Sequence, residues 1–181
     1  KPAPLSDEAS DQIVREGKVT RDARTPTAEY SAQSKLDGYI PRVTLAQATA
    51  MLERTDRWTE IVGFRGEKFF SGVNLERTGA GHEGAVDVQE PFAMSIPIRF
   101  TVKSTQAASD AVIVNTSGVS KYLVTIVDPG NFSIVAHLRP YKGGVIAHFE
   151  TTIKVNYQEE QAAAYTGEFV FDWMKRSLAY R

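Results

Sequence analysis

From residue 67 to residue 157 the apolar side chains recur at every second position, and no helical spacing interrupts them. Only an extended chain puts alternate residues on one face. The clearest run is Met94, Ile96, Ile98, Phe100 and Val102, with Ser95, Pro97, Arg99, Thr101 and Lys103 between them. One apolar and one polar face is the pattern of an antiparallel strand with a single buried side. Phe69, Ser71, Val73 and Leu75 share a face, as do Phe132, Ile134, Ala136 and Leu138, and Val145, Ala147, Phe149, Ile153, Val155 and Tyr157. Ala111 to Thr116 and Tyr122 to Val127 read as strands that are apolar on both sides. Asp128-Pro129-Gly130-Asn131 and Pro140-Tyr141-Lys142-Gly143-Gly144 are turn signals between runs. Six or seven strands therefore follow one another through short connections, which disfavours a parallel βαβ sheet.

The alternation then gives way to a four-residue step: Tyr165, Phe169 and Trp173 form one row, and Thr166, Val170 and Met174 the next. This spacing predicts a helix from about residue 158 to 179, with Asn156 and Glu159 as its cap pair. Gly167 interrupts it at a cost of roughly 1 kcal/mol relative to Ala, and Phe171 falls off the apolar stripe. Upstream, Ser6 and Gly17 bracket a short helix with Ile13 and Val14 as its apolar contacts. Val19 to about Leu36 is polar and contains Pro26, and reads as an extended arm with room for one short strand. Thr44 and Gln47 have the spacing of a capping box, and Leu45, Ala48, Met51 and Leu52 continue it as a helix ending near Arg54 to Trp58. The expected class is α+β: a curved antiparallel sheet of six or seven strands gripping a long C-terminal helix. A length of 181 residues suits one globular domain, with residues 1–35 as helix and arm and residues 36–181 as the main body.

The order of elements resembles the helix-grip arrangement of the START-like, or polyketide-cyclase-like, superfamily. The stretches that carry the resemblance are Thr44-Leu-Ala-Gln-Ala-Thr-Ala-Met-Leu-Glu, with Trp58 soon after, and Tyr165 to Leu178. It covers about residues 36–180. The resemblance implies a lipid or another apolar molecule held between sheet and helix, and in some members cyclase or aromatase activity.

The residues allow two readings of the aromatic stripe. It covers a packed core, or it roofs an apolar pocket. The ligand-binding residues of the second reading are Phe69, Met94, Ile98, Phe100, Phe149, Tyr165, Phe169 and Trp173. Non-catalytic binding of a hydrophobic small molecule or lipid leads, and a packed protein-interaction or structural module is the alternative. An enzyme would need inward groups for proton transfer, for which Tyr122, Tyr157 and Tyr165 are the candidates. No catalytic residue is assigned.

Other chemistries lack their signatures. Lys plus Arg total 21 against 22 for Asp plus Glu, a formal net charge of −1, which disfavours nucleic acid as a partner. The chain has no cysteine, hence no disulfide, thiolate metal site or cysteine nucleophile. No apolar run reaches the ~20 residues of a membrane span. Gly79-Ala80-Gly81-His82-Glu83-Gly84 spells G-x-G-x-x-G, but extended sequence and Pro91 follow where a phosphate-binding helix would begin, so it reads as a hairpin loop. His137, His148 and Glu150 offer two imidazoles and a carboxylate across a predicted hairpin. Lys154 and Asn156 share that face, however, which reads as the solvated side, so no metal and no cofactor is expected. Asn115-Thr116-Ser117 and Asn131-Phe132-Ser133 fit a glycosylation sequon and read as chance. Opening on Lys1, with Pro2 and Pro4 close behind, fits removal of a signal or lipoprotein anchor as well as trimming. Export is the favoured reading and a cytoplasmic protein the alternative.

Overall fold

Ser6 begins the first helix, α1 (Asp7–Glu16), by accepting a hydrogen bond from the Ala9 N–H at 3.2 Å. Gly17 ends it at φ 77°, a conformation in which its N–H returns to the Ile13 carbonyl. The computed structural model describes residues 5–25, 30–63, 65–79, 81–89, 97–108, 111–116, 131–155 and 162–179. For 22–25, 30–32, 88–89, 97–108, 111–116, 131–133, 153–155 and 162–165 it is the backbone that is described.

The polar arm forms two strands. β1 (Lys18–Thr25) and β2 (Tyr30–Pro41) pair antiparallel, and β2 crosses the position between residues 35 and 36 that composition suggested as a boundary. Polarity hid them because only alternate residues of β2 meet the core: Ser34, Leu36, Gly38 and Ile40 are buried beneath the final helix. Thr44 then caps α2 (Leu45–Glu53), and both halves of the capping box form, Gln47 N–H to Thr44 Oγ1 and Thr44 N–H to Gln47 Oε1. A 3₁₀ helix (Thr55–Glu60) follows.

The region from 67 to 157 contributes β3 (Phe70–Thr78), β4 (Gly81–Gln89), β5 (Pro97–Ala108), β6 (Ala111–Thr116), β7 (Asn131–Tyr141) and β8 (Gly144–Val155). Among the described residues, with β1 and β2 they make an eight-stranded sheet of order β1-β2-β8-β7-β6-β5-β4-β3, antiparallel at every junction. The expected strand at Tyr122–Val127 lies outside the described residues, as do Met94 to Ile96 and the Asn156–Glu159 cap. The G-x-G-x-x-G stretch is a hairpin: Thr78 pairs with Gly81, and the later glycines lie in β4.

Two details of the alternation differ from expectation. A bulge between Phe70 and Gly72 shifts the register of β3, so Phe70 rather than Ser71 is buried. In β8, Thr151 continues the buried row of Val145, Ala147 and Phe149, while Ile146 is buried on the opposite face. That face carries α1. Tyr141 Oη donates to Asp11 Oδ1 at 2.7 Å, Lys142 Nζ binds the same oxygen at 2.6 Å, and Arg139 donates to Ser10. The Lys142 ammonium, then the Tyr141 hydroxyl, hold the Asp11 carboxyl below its ordinary value.

The chain closes with α3 (Ala162–Ala179) across the concave face, above β2 and β8. Lys18 reaches Asp172 at 3.3 Å and Glu168 at 3.7 Å, which ties its flank to β1. Phe171 lies under the helix in the main core, 1% exposed, its ring 6.3 Å from that of Phe149 and edge-on to it. The ring occupies the space above Gly38, where an added Cβ would overlap it. Gly167 similarly lets the helix down onto the Thr151 hydroxyl, 3.3 Å from where a Cβ would stand, so its neighbour is a side chain rather than another backbone.

Gly38→Ala should therefore destabilise the fold by about 1–3 kcal/mol, an overpacking cost. At about 2–4 °C per kcal/mol for a chain of this length, the loss is readable as a lower melting temperature. Phe171→Leu in the Gly38→Ala background should restore part of it. An unchanged melting temperature for Gly38→Ala would show that the ring does not rest there.

Candidate functional site

Where α2, the 3₁₀ helix and α3 meet the concave sheet, the side chains leave a cavity of about 20 Å³. Its lining is Leu52 of α2, Trp58 and Ile61 of the 3₁₀ segment, Phe70, Ile134, Ala136, Phe149 and Val170. Each strand supplies inward residues by alternation: Ala136 pairs with Phe149 across β7 and β8, and Ile134 with Thr151. Trp58 is held by its own N–H, which donates to the Leu52 carbonyl at 3.2 Å and satisfies an orphan acceptor at the end of α2. Its ring lies 5.6 Å from Phe70, Phe70 lies 4.9 Å from Phe69, and Phe69 meets Phe169 at 5.7 Å. This aromatic chain links the 3₁₀ segment to α3.

A space of that size admits one water, but a buried water needs two to four polar partners. None of the eight lining side chains offers one, since the Trp58 N–H is already bonded. Among the described residues its wall is therefore wholly apolar. Trp173, 1% exposed, aims its N–H at Glu60 Oε2 at 3.4 Å, and Arg57 grips the same carboxylate through two hydrogen bonds at 2.7 and 2.9 Å. The Arg57 guanidinium is the main reason that the Glu60 carboxyl stays below its ordinary value.

Of the residues expected to bind a ligand, Phe149 lines this cavity. Phe69, Phe169 and Trp173 are buried in the same core, around it rather than on its wall. Ile98 and Phe100 sit on β5, opposite Val88 and Val86, and Tyr165 sits in the first turn of α3. Their side chains, together with Met94, Tyr122 and Tyr157, lie outside the described residues. Sequence reasoning placed Leu52, Ile134 and Val170 on inward faces without assigning them to a pocket. It missed Phe70 because the bulge at Ser71 carries no sequence signal.

The opposite face holds a polar cluster. The expected register is present, with His137 opposite His148 and their rings 6.2 Å apart. The face is less wet than expected, because α1 rests on part of it. Asp37 is 3% exposed and meets His148 Nδ1 at 2.7 Å, while Glu150 stands 3.2 Å from Nε2. Among the described residues no group of His, Asp and Glu has the geometry of a metal site. The hydrogen bond to Asp37, against the opposing effect of burial and with help from Glu150, raises the His148 pKa above its ordinary value. The Asp37 hydrogen bond thus favours the protonated form of His148.

No family model and no curated protein matches the chain. Solved structures do match it in fold. A STAR-related lipid transfer protein fragment from Xanthomonas axonopodis is 13% identical, with a TM-score of 0.63 over 90% of this chain and 99% of that one. A protein from Rhizobium leguminosarum is 10% identical, with a TM-score of 0.60 over 91% and 99%. A START superfamily protein from Mycobacterium smegmatis is 7% identical, with a TM-score of 0.52 over 88% and 95%. The fold is the START-like helix grip, an α+β architecture whose antiparallel sheet holds the C-terminal helix. Among the described residues no helix is long and apolar enough to cross a membrane.

The histidine cluster has a pH signature. A raised folded-state pKa stabilises fully below the unfolded value of about 6.5, and that contribution is lost as pH rises through the higher folded value. Melting scans from about pH 5.5 to 9 should show the parent losing stability on the alkaline side relative to Asp37→Asn, which lacks the charge that His148 answers. Parallel curves would show that the pair carries no such linkage.

Proposed function

We propose that the chain binds a hydrophobic small molecule or lipid between sheet and α3 and does not convert it chemically. The observation that carries this reading is the cavity at the junction of α2, α3 and the concave sheet, whose lining among the described residues is wholly apolar. Those eight side chains include no general acid or base. The lipid-transfer name of the Xanthomonas protein of like fold points the same way.

At about 20 Å³ the cavity is far smaller than the ~300 Å³ of a typical ligand pocket. Binding therefore requires the 3₁₀ segment and α3 to part, widening the space next to Trp58 and Ile61. The polar tie to be broken is the long Trp173–Glu60 hydrogen bond. The second reading, a packed protein-interaction module, is favoured by how fully Trp173, Phe149 and Phe171 fill the interior. A cyclase-type enzyme would rest on Tyr122, Tyr157 and Tyr165.

Titration with N-phenyl-1-naphthylamine, a neutral apolar dye, should give saturable one-to-one binding and raise the melting temperature by mass action. Ala136→Leu places extra bulk in the cavity and should weaken the dye about tenfold, roughly 1.4 kcal/mol, while the variant still melts cooperatively. Absence of saturable binding, together with purified protein free of extractable lipid, would favour the packed module.

A further inference from the structure

Glu60 ends the 3₁₀ segment between two residues of the cavity wall, Trp58 and Ile61. Its carboxylate is half exposed and accepts from two elements. Arg57, on the same segment, donates through Nε to Oε1 at 2.9 Å and through Nη2 to Oε2 at 2.7 Å. Trp173, on α3, donates through Nε1 to Oε2 at 3.4 Å. Trp173 follows Val170, another wall residue, by three positions, which makes the two neighbours on the helix surface. The Arg57–Glu60 pair therefore lies within one element and travels with it. The Trp173–Glu60 bond crosses the seam between the two elements that must part for a ligand to enter, and it exists only while that seam is closed. The Arg57 guanidinium holds the Glu60 carboxyl below its ordinary value, so an ionised acceptor meets the Trp173 N–H near neutral pH.

We infer that Glu60 is an autoinhibitory latch: its bond to Trp173 stabilises the closed, empty protein, is absent from the ligand-bound one, and so works against binding. This rests on the ligand-binding reading above. A cavity of about 20 Å³ cannot close again around a ligand that needs ~300 Å³, so the seam stays parted while the ligand is bound. An interaction made in one of two states shifts the equilibrium toward that state. Removing the latch destabilises the empty, closed form alone, and the protein binds tighter for having lost a contact.

The test follows N-phenyl-1-naphthylamine on the full chain near pH 7 by its emission, at equilibrium and in stopped flow. Glu60→Ala should bind the dye roughly three- to tenfold tighter than the parent, the worth of one net hydrogen bond. The gain should appear in the association rate, with the dissociation rate unchanged. Glu60 is half exposed, so its truncation leaves the core intact. Trp173→Phe keeps a buried ring, removes the N–H and should also bind the dye tighter. Glu60→Ala added to Trp173→Phe should gain nothing more, because the bond is already lost. Saturable binding that is unchanged or weaker in Glu60→Ala, or a gain that persists undiminished in the Trp173→Phe background, would overturn the latch and leave the pocket standing. Absence of saturable binding to the parent and to every variant would overturn the ligand-binding reading itself.

Discussion

The seating of α3 on the concave sheet depends on an absence at Gly38. The Phe171 ring fills the room that any side chain there would take, and this sets how deeply the helix lies above β2 and β8. From that depth the rest follows. Val170 comes to the cavity wall, Gly167 rests on the Thr151 hydroxyl, and Trp173 reaches Glu60. Phe169, Val170, Phe171, Trp173, Met174 and Leu178 are all buried, so the helix is enclosed around most of its circumference rather than along one stripe. An aromatic in a sheet notch fixes position more tightly than aliphatic contact, because close-packed interiors yield little.

The 3₁₀ segment is held by a different balance. Trp58 anchors it through a buried hydrogen bond to the end of α2, while its outer side depends on Arg57, Glu60 and one long bond to Trp173. Exposed ion pairs such as Arg54–Asp56 contribute little to such a segment. The apolar cavity adds a small deficit of dispersion contacts beneath it. Weak outer ties above an imperfectly filled interior are the conditions under which a segment opens locally while the sheet stays intact.

Much of this was legible in the chain. Period-two alternation announced the antiparallel sheet, the four-residue aromatic step announced α3, and the Thr44–Gln47 capping box formed as its spacing required. What stayed hidden has a physical cause in each case. Phe171 lies off the stripe, and only a notch in a distant strand makes its position a buried one. The bulge after Phe70 flips one residue inward without any residue type that demands it. β2 buries small or polar residues such as Ser34 and Gly38 where hydrophobic markers were sought.

The sheet order also bears on how the molecule comes to exist. β2 pairs with β8, so Asp37 and His148, neighbours in the sheet, are 111 positions apart in the chain. During synthesis the β1–β2 hairpin emerges with Leu36 and Ile40 uncovered and one strand edge open, and its partner strand is made only after the intervening strands. Such an edge is a template for pairing with other chains, and non-local pairing of this kind is slow. The interval between the first hairpin and the last strand is thus the period in which the nascent chain most needs a chaperone's shelter.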